Sequence, residues 1–216
     1  MVQVIKDLVS ESKYNLKCTY TMTPEFIVVH NTGNDASAKN EIAYMKKNDS
    51  STSYHFAIDD VEVRQGVPLD RNAWHAGDGA NGRGNKFGIG IEICYSKSGG
   101  AKFDKAEDNA AQFIAKLLKE YGWDISHVKK HQDFSGKYCP HRTLNMGWDR
   151  FLEKVKRCMN MDNENTNELT TVNDIVWELS HRGIITNKEL WLKKLEEDEN
   201  AYWLARKCAN YVRGVK

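Results

Sequence analysis

The chain has 216 residues, of which 40% are hydrophobic, and a formal net charge of +1. That is enough apolar material for one core of average size and a small second one, and too little net charge to draw in a phosphate backbone, which argues against nucleic acid as a partner. No stretch approaches the roughly 20 apolar residues of a membrane-spanning helix, and the opening MVQVIKDLVSESK lacks the apolar centre and small-residue cleavage site of a secretory signal, so the expectation is synthesis in the cytoplasm without a signal peptide.

TPEFIVVHNTG reads as a short apolar strand, rich in β-branched residues, that ends on His30 and breaks into an Asn-Thr-Gly turn. ASAKNEIAYMKKND has the spacing of a weakly amphipathic helix. SYHFAIDDVEVRQGVP alternates like a hairpin with Asp59 and Asp60 in its turn. The glycine-rich stretch from Arg71 to Gly90 has too few side chains to pack and is expected to be a loop, followed by the strand IGIEICY. From Asp104 to Tyr121 the apolar residues recur at helical spacing, and Gly122 stands where a C-terminal cap belongs. A last helix is expected near Trp148 to Met159. The order of elements predicts an α/β domain over residues 1–159, with a mixed central sheet flanked by helices.

Residues 160–168, NMDNENTNE, are nearly devoid of apolar side chains and read as a linker. Residues 169–216 show three helical patterns, divided at Arg182-Gly183 and near Asp198 to Ala201, with Thr186 or Asn187 as N-cap. They predict a small all-α domain with a thin core on Trp177, Leu190, Trp191, Leu195, Trp203 and Leu204. A unit of this size is expected to bind or to pair rather than to catalyse.

HQDFSGKYCPHR, residues 131–142, concentrates metal-binding side chains: His131 and Cys139 flank a loop, and His30 at a strand end is the best-placed third donor. Three protein ligands leave a position open, as a catalytic zinc requires. His127 and His141 allow other triplets, so spacing alone leaves the ligand set open. The five cysteines, Cys18, Cys94, Cys139, Cys158 and Cys208, are an odd number in a chain large for a disulfide scaffold, and are expected to be reduced.

Five segments taken in order, FIVVHNTG, STSYHFAID, NAWHAG, IGIEIC and KHQDFSGKYCPHR, resemble the type-2 N-acetylmuramoyl-L-alanine amidases, the zinc hydrolases that include phage and prophage endolysins of the T7-lysozyme kind and the peptidoglycan-recognition proteins. The likeness spans roughly residues 23–155 and is greatest to the endolysins of Gram-positive hosts such as Bacillus and Clostridium. It implies one zinc ion held by His30, His131 and Cys139, with His127 and His141 as non-ligands. It also implies hydrolysis of the amide between N-acetylmuramic acid and the L-alanine of the stem peptide in bacterial peptidoglycan, and so action on the cell wall after release from the cytoplasm.

The same resemblance casts Glu92 as general base and Lys137 as the cation that steadies the oxyanion. Tyr54 becomes a second base or an orienter of the attacking water, and Trp74 and His75 a groove wall that binds substrate. Glu92 suits its part on chemical grounds, because a lone carboxylate among apolar strand neighbours has its pKa raised toward the working range. Asp133 is expected either to hold a ligand imidazole or to cap a helix, and His55 to be structural. The alternative function is a non-catalytic peptidoglycan-recognition protein; relatives of that kind lack the cysteine ligand, which this chain has. For the helical unit, wall binding and homo-oligomerisation are the two expectations.

Overall fold

The computed structural model describes residues 3–161, 169 and 171–212. In chain order the strands are β1 (Gln3–Lys6), β2 (Phe26–Asn31), β3 (Phe56–Ile58), β4 (Glu62–Gln65), β5 (Gly88–Ile93) and β6 (Val128–Lys130). The helices are α1 (Tyr14–Lys17), α2 (Ala38–Lys47), α3 (Arg83–Phe87), α4 (Gly100–Tyr121), α5 (Gln132–Ser135), α6 (His141–Asn145), α7 (Trp148–Met161), α8 (Val172–His181), α9 (Lys188–Glu197) and α10 (Glu199–Val212). Residues 1–159 and 160–216 form two compact units. Residues 162–168, most of the segment read as a linker, lie outside the described residues, and Asn160 and Met161 belong to α7.

The sheet of the first unit runs β1-β4-β3-β5-β2-β6 and is mixed: β3 and β4 are antiparallel, and every other neighbour pair is parallel. β2 is buried at every position and β5 at all but Glu92, as expected of parallel strands covered on both faces. β3 shows how the faces divide. Phe56 meets Phe113 of α4 edge to face at 4.7 Å, whereas the next residue, Ala57, joins the cluster containing Ile42 and Met45 of α2. Side chains alternate along a strand, so α2 and α4 cover opposite faces.

α4 is the element the apolar spacing defined best, and it starts four residues earlier than expected, at Gly100. It ends on Gly122 in the left-handed region (φ 68°), where the amide of Trp123 donates to the Leu118 carbonyl at 2.8 Å. α7 is fastened to it by buried charge: Glu107 accepts from Arg150 at 2.7 Å and from Lys154 at 2.8 Å, and Lys154 also reaches Asp108 at 2.6 Å. Removing one member would strand the others away from water.

β1, β6 and the short helix α3 inside the glycine-rich stretch were not expected from the pattern. β1 and β6 are edge strands of four and three residues, too short for an alternation to register.

The second unit forms the three expected helices, and Asn187 is the cap of α9, accepting from the Leu190 amide at 3.0 Å. Its core matches the expectation at Trp177, Trp191 and Leu195 and differs at the other three positions. Ile175, Val176, Leu179, Ile185, Leu195, Ala205 and Ala209 are buried, while Leu190, Trp203 and Leu204 are 59%, 46% and 72% exposed. On α10 the inward stripe is Tyr202, Ala205, Cys208 and Ala209. Small residues there let short helices approach, and the adjacent bulky pair necessarily points elsewhere.

Candidate active site

Three parallel strand ends assemble the site. β2 and β5 pair so that His30 stands beside Glu92, and β3 adds Ala57 beside Glu92, which puts both functional side chains on the face that α2 covers. On the other flank of β2, Lys130 ends β6 opposite Val29, and the His131 amide donates to the Val29 carbonyl at 3.3 Å. His131 thus steps off the sheet next to His30. The chain then turns through α5, and the Gln132 amide donates to the Cys139 carbonyl at 3.0 Å, which brings the cysteine back to the same point. Ligands at the carboxyl ends of parallel strands are the general rule for open α/β sheets.

His30, His131 and Cys139 are buried, with one ligand atom from each within 4.8 Å of the others. Nδ1 of His30 lies 2.9 Å from Nδ1 of His131 and 3.9 Å from the Cys139 sulfur. Burial holds both imidazoles neutral, His30 well below its ordinary pKa and His131 to a lesser degree, helped in both cases by the Lys137 charge. Burial also raises the Cys139 thiol to about 11. The two nitrogens therefore offer lone pairs at neutral pH, and only the thiol must lose a proton when a cation enters. Two nitrogens and a sulfur with no further donor in the group fit a metal ion that keeps a position open.

Glu92 is the carboxylate of the site. One of its oxygens is buried without a hydrogen-bond partner among the described residues, and its pKa is pushed up to about 8, first by burial and then by Glu41, against the pull of Lys137. Lys137 itself is exposed, yet its charge is felt at His30, His131, Glu92 and Cys139.

Tyr54 is only 6% exposed, and its hydroxyl donates to the carbonyl and the carboxylate of Glu41, at 3.0 Å each. Its proton is held far above the ordinary range by burial and by the neighbouring acids. Glu41 in turn accepts from Asn34 at 2.6 Å. A cavity of about 680 Å³ opens in front, lined among others by Thr32, Asn34, Glu41, Tyr44, Tyr54 and Glu92. Nothing in the sequence marked Glu41, which reads as one more polar residue on a helix.

Trp74 is half-buried, its ring edge-to-face with Tyr20 at 6.0 Å. His75, expected beside it as groove wall, is buried instead; Nδ1 lies 3.0 Å from Nε2 of His30, and Nε2 is 3.1 Å from the Gly88 carbonyl. Gly90 of β5 leaves the space its ring occupies.

Of the two roles expected for Asp133 the imidazole one is not seen: in the first turn of α5 its carboxylate accepts the Lys130 amide at 3.0 Å and the Lys130 ammonium at 2.6 Å. His127 stacks on Trp123 and pairs with Asp124, and His141 faces the Ser96 carbonyl at 3.3 Å. His55 is held by the Gly90 amide and the Arg71 carbonyl, at 2.9 Å each. All five cysteines are free thiols.

The family description for N-acetylmuramoyl-L-alanine amidase matches residues 20–142, which contain every residue of this site. The chain belongs to that family. It is 61% identical over 160 residues to the amidase XlyB of Bacillus subtilis, covering 74% of this chain and 50% of that protein. To CwlA of the same species it is 62% identical over 146 residues, covering 68% and 54%. The solved structure of PlyL superposes with a TM-score of 0.69 at 51% identity, covering 71% of this chain and 97% of that one. The chain thus spans about half the length of these two curated relatives. Among the described residues no helix is long and apolar enough to cross a membrane.

Proposed function

We propose that the chain is a zinc-dependent peptidoglycan hydrolase that cuts the amide between the lactyl group of N-acetylmuramic acid and the L-alanine of the stem peptide. One observation carries the reading. A carboxylate with one buried oxygen that has no partner among the described residues, Glu92, stands in register with the ligand His30 at the edge of an open cavity. His30, His131 and Cys139 would hold a zinc ion, which would act as a Lewis acid toward the scissile carbonyl and lower the pKa of water toward about 7.

The chain's own residues do the rest. Glu92 takes the proton of the attacking water and returns it to the leaving nitrogen; its raised pKa suits both transfers. Lys137, on an exposed loop yet electrostatically coupled to the site, meets the negative charge that develops on the carbonyl oxygen. Tyr54 fits the orienting role better than the basic one, because its hydroxyl is committed to Glu41. Trp74 offers its half-buried ring to the sugar.

The partner in this reading is the peptidoglycan of a bacterial cell wall, reached after release from the cytoplasm. Residues 169–216 concentrate the enzyme there or pair two copies. A chain ending near Asn160, assayed for wall binding and for mass in solution, separates those roles. The exposed Trp203, Leu204 and Tyr211 of α10 are compatible with either.

The test is zinc content together with hydrolysis of purified peptidoglycan. The parent should carry about one zinc and free new L-alanine amino termini. Cys139→Ser should lose metal and activity, and Glu92→Ala should keep the metal and lose the rate. A parent that binds the wall and releases nothing would overturn the reading in favour of a recognition protein.

A further inference from the structure

The segment His75-Ala76 lies behind the metal group, and its hydrogen bonds have a direction. The Gly88 carbonyl can only accept, so Nε2 of His75, 3.1 Å away, carries the proton. Nδ1 of His75 is then a bare acceptor, and Nε2 of His30, at 3.0 Å, must be the donor to it. With its proton on Nε2, neutral His30 turns a lone pair on Nδ1 toward His131 and Cys139. His131 is set the same way. It donates to the Ala76 carbonyl, its Nε2 lies beside Gly77, and its Nδ1 faces His30. Two bare nitrogens meet at 2.9 Å, an arrangement that repels until a cation occupies it.

The scaffold around the segment is built for this. The Asn85 side-chain oxygen accepts the amides of His75 and Ala76, both at 2.8 Å, and Asn85 is itself drawn in through its own amide to Asp78 at 3.2 Å. At Gly90 of β5 any Cβ would stand 2.6–2.9 Å from the His75 ring, so only glycine leaves room for the imidazole.

We propose that His75 is a positioning residue, a tautomer relay that fixes the proton of His30 on Nε2 and so presents Nδ1 to the metal, with Gly90 and Asn85 holding it in place. The inference rests on the metal-dependent reading of the site, though its test does not use hydrolysis. Ligand histidines elsewhere are oriented by carboxylates or carbonyls through their distal N–H; here a second imidazole relays a backbone carbonyl.

The experiment is nitrogen-15 ring spectroscopy of the full chain, metal-free and with zinc, together with zinc affinity from chelator competition. His75 should be the Nε2–H tautomer, and His30 should keep Nε2–H and bind zinc through Nδ1. His75→Leu, which removes the acceptor, should lower zinc affinity about 10- to 100-fold. His75→Asn, which places an oxygen where Nδ1 was, should recover most of that loss. A wild-type His75 protonated on Nδ1 would overturn the proposal even if the leucine variant failed to fold. So would a leucine variant with parental zinc affinity, or an asparagine variant as weak as leucine. A parent that shows the expected tautomers and zinc binding but hydrolyses nothing would refute the amidase reading and leave the relay standing.

Discussion

The first unit and the helical unit both bury apolar side chains, but they differ in what else they bury. The first encloses His30, His75 and His131 and the ion cluster of Glu107, Asp108 and Lys154, whose polar atoms are answered by partners, while one oxygen of Glu92 is left over. The second has a core of mostly small and aliphatic residues, adds only Glu178 and Asn210 as buried polar side chains among the described residues, and leaves Leu190, Leu204 and Tyr211 more than half exposed. Buried polar networks demand one geometry, because each unanswered group costs about 1–3 kcal/mol, whereas an apolar core tolerates repacking. The first unit is therefore specified atom by atom at its site, and the second mostly by its apolar pattern.

The largest effect that would sharpen this contrast is at the metal group. Cys139→Ser should drop bound zinc from about one equivalent to near none and hydrolysis to background, since a hydroxyl does not replace a thiolate at this donor set. Far-ultraviolet circular dichroism should stay near that of the parent. A variant that retained metal would show the thiol to be a bystander.

Next is Glu92→Gln, expected to keep zinc and lower the rate about 10²- to 10⁴-fold. The carboxyl is held up to about 8 and must be ionised to accept a proton, so the rate should rise with pH through its pKa, and the charge of a bound metal should bring that midpoint below about 8. Glu41 raises the Glu92 pKa, so Glu41→Gln should move the rising limb to lower pH. A limb unmoved in Glu41→Gln would separate the limb from Glu92.

Lys137→Met should cost about 10²- to 10³-fold in rate with zinc content unchanged. It should also move the limb to higher pH, because the lysine lowers the Glu92 pKa. Parallel losses at every pH without that displacement would mean that Lys137 acts on substrate without sensing Glu92.

In the helical unit the effects should divide by burial. Ile175→Ala, at a fully buried core position, should destabilise that unit by about 2–5 kcal/mol. Leu204→Ser, at a 72% exposed one, should change its stability by less than about 0.5 kcal/mol. Thermal unfolding followed on the full chain checks both, and hydrolysis of soluble wall fragments should be untouched by either. Comparable losses from the two substitutions would show that the apolar face of α10 is covered in solution.

The sequence by itself determined the strand ending at His30, the helix closed by Gly122, the three C-terminal helices and the order of the motifs. Each of these is a local matter of period, cap or breaker, legible within a dozen residues. The family likeness added the ligand set, which spacing alone left among several histidines. Tertiary structure decided the rest. Only the parallel register of β2 with β5 puts Glu92 beside His30, and only the sheet order brings His131 to its other side. His75 reads along the chain as part of a loop lining a groove, and its burial follows from Gly90, fifteen residues later, leaving space for its ring. Tyr54 reads as a second base or a water orienter until Glu41, on another element, claims its hydroxyl. The same holds for α10, where an apolar pattern allows more than one stripe and packing against α8 and α9 selects the one with small residues. Periodicity reports which side chains share a face; which faces meet, and which polar atoms answer one another across them, depends on contacts between residues far apart in the chain.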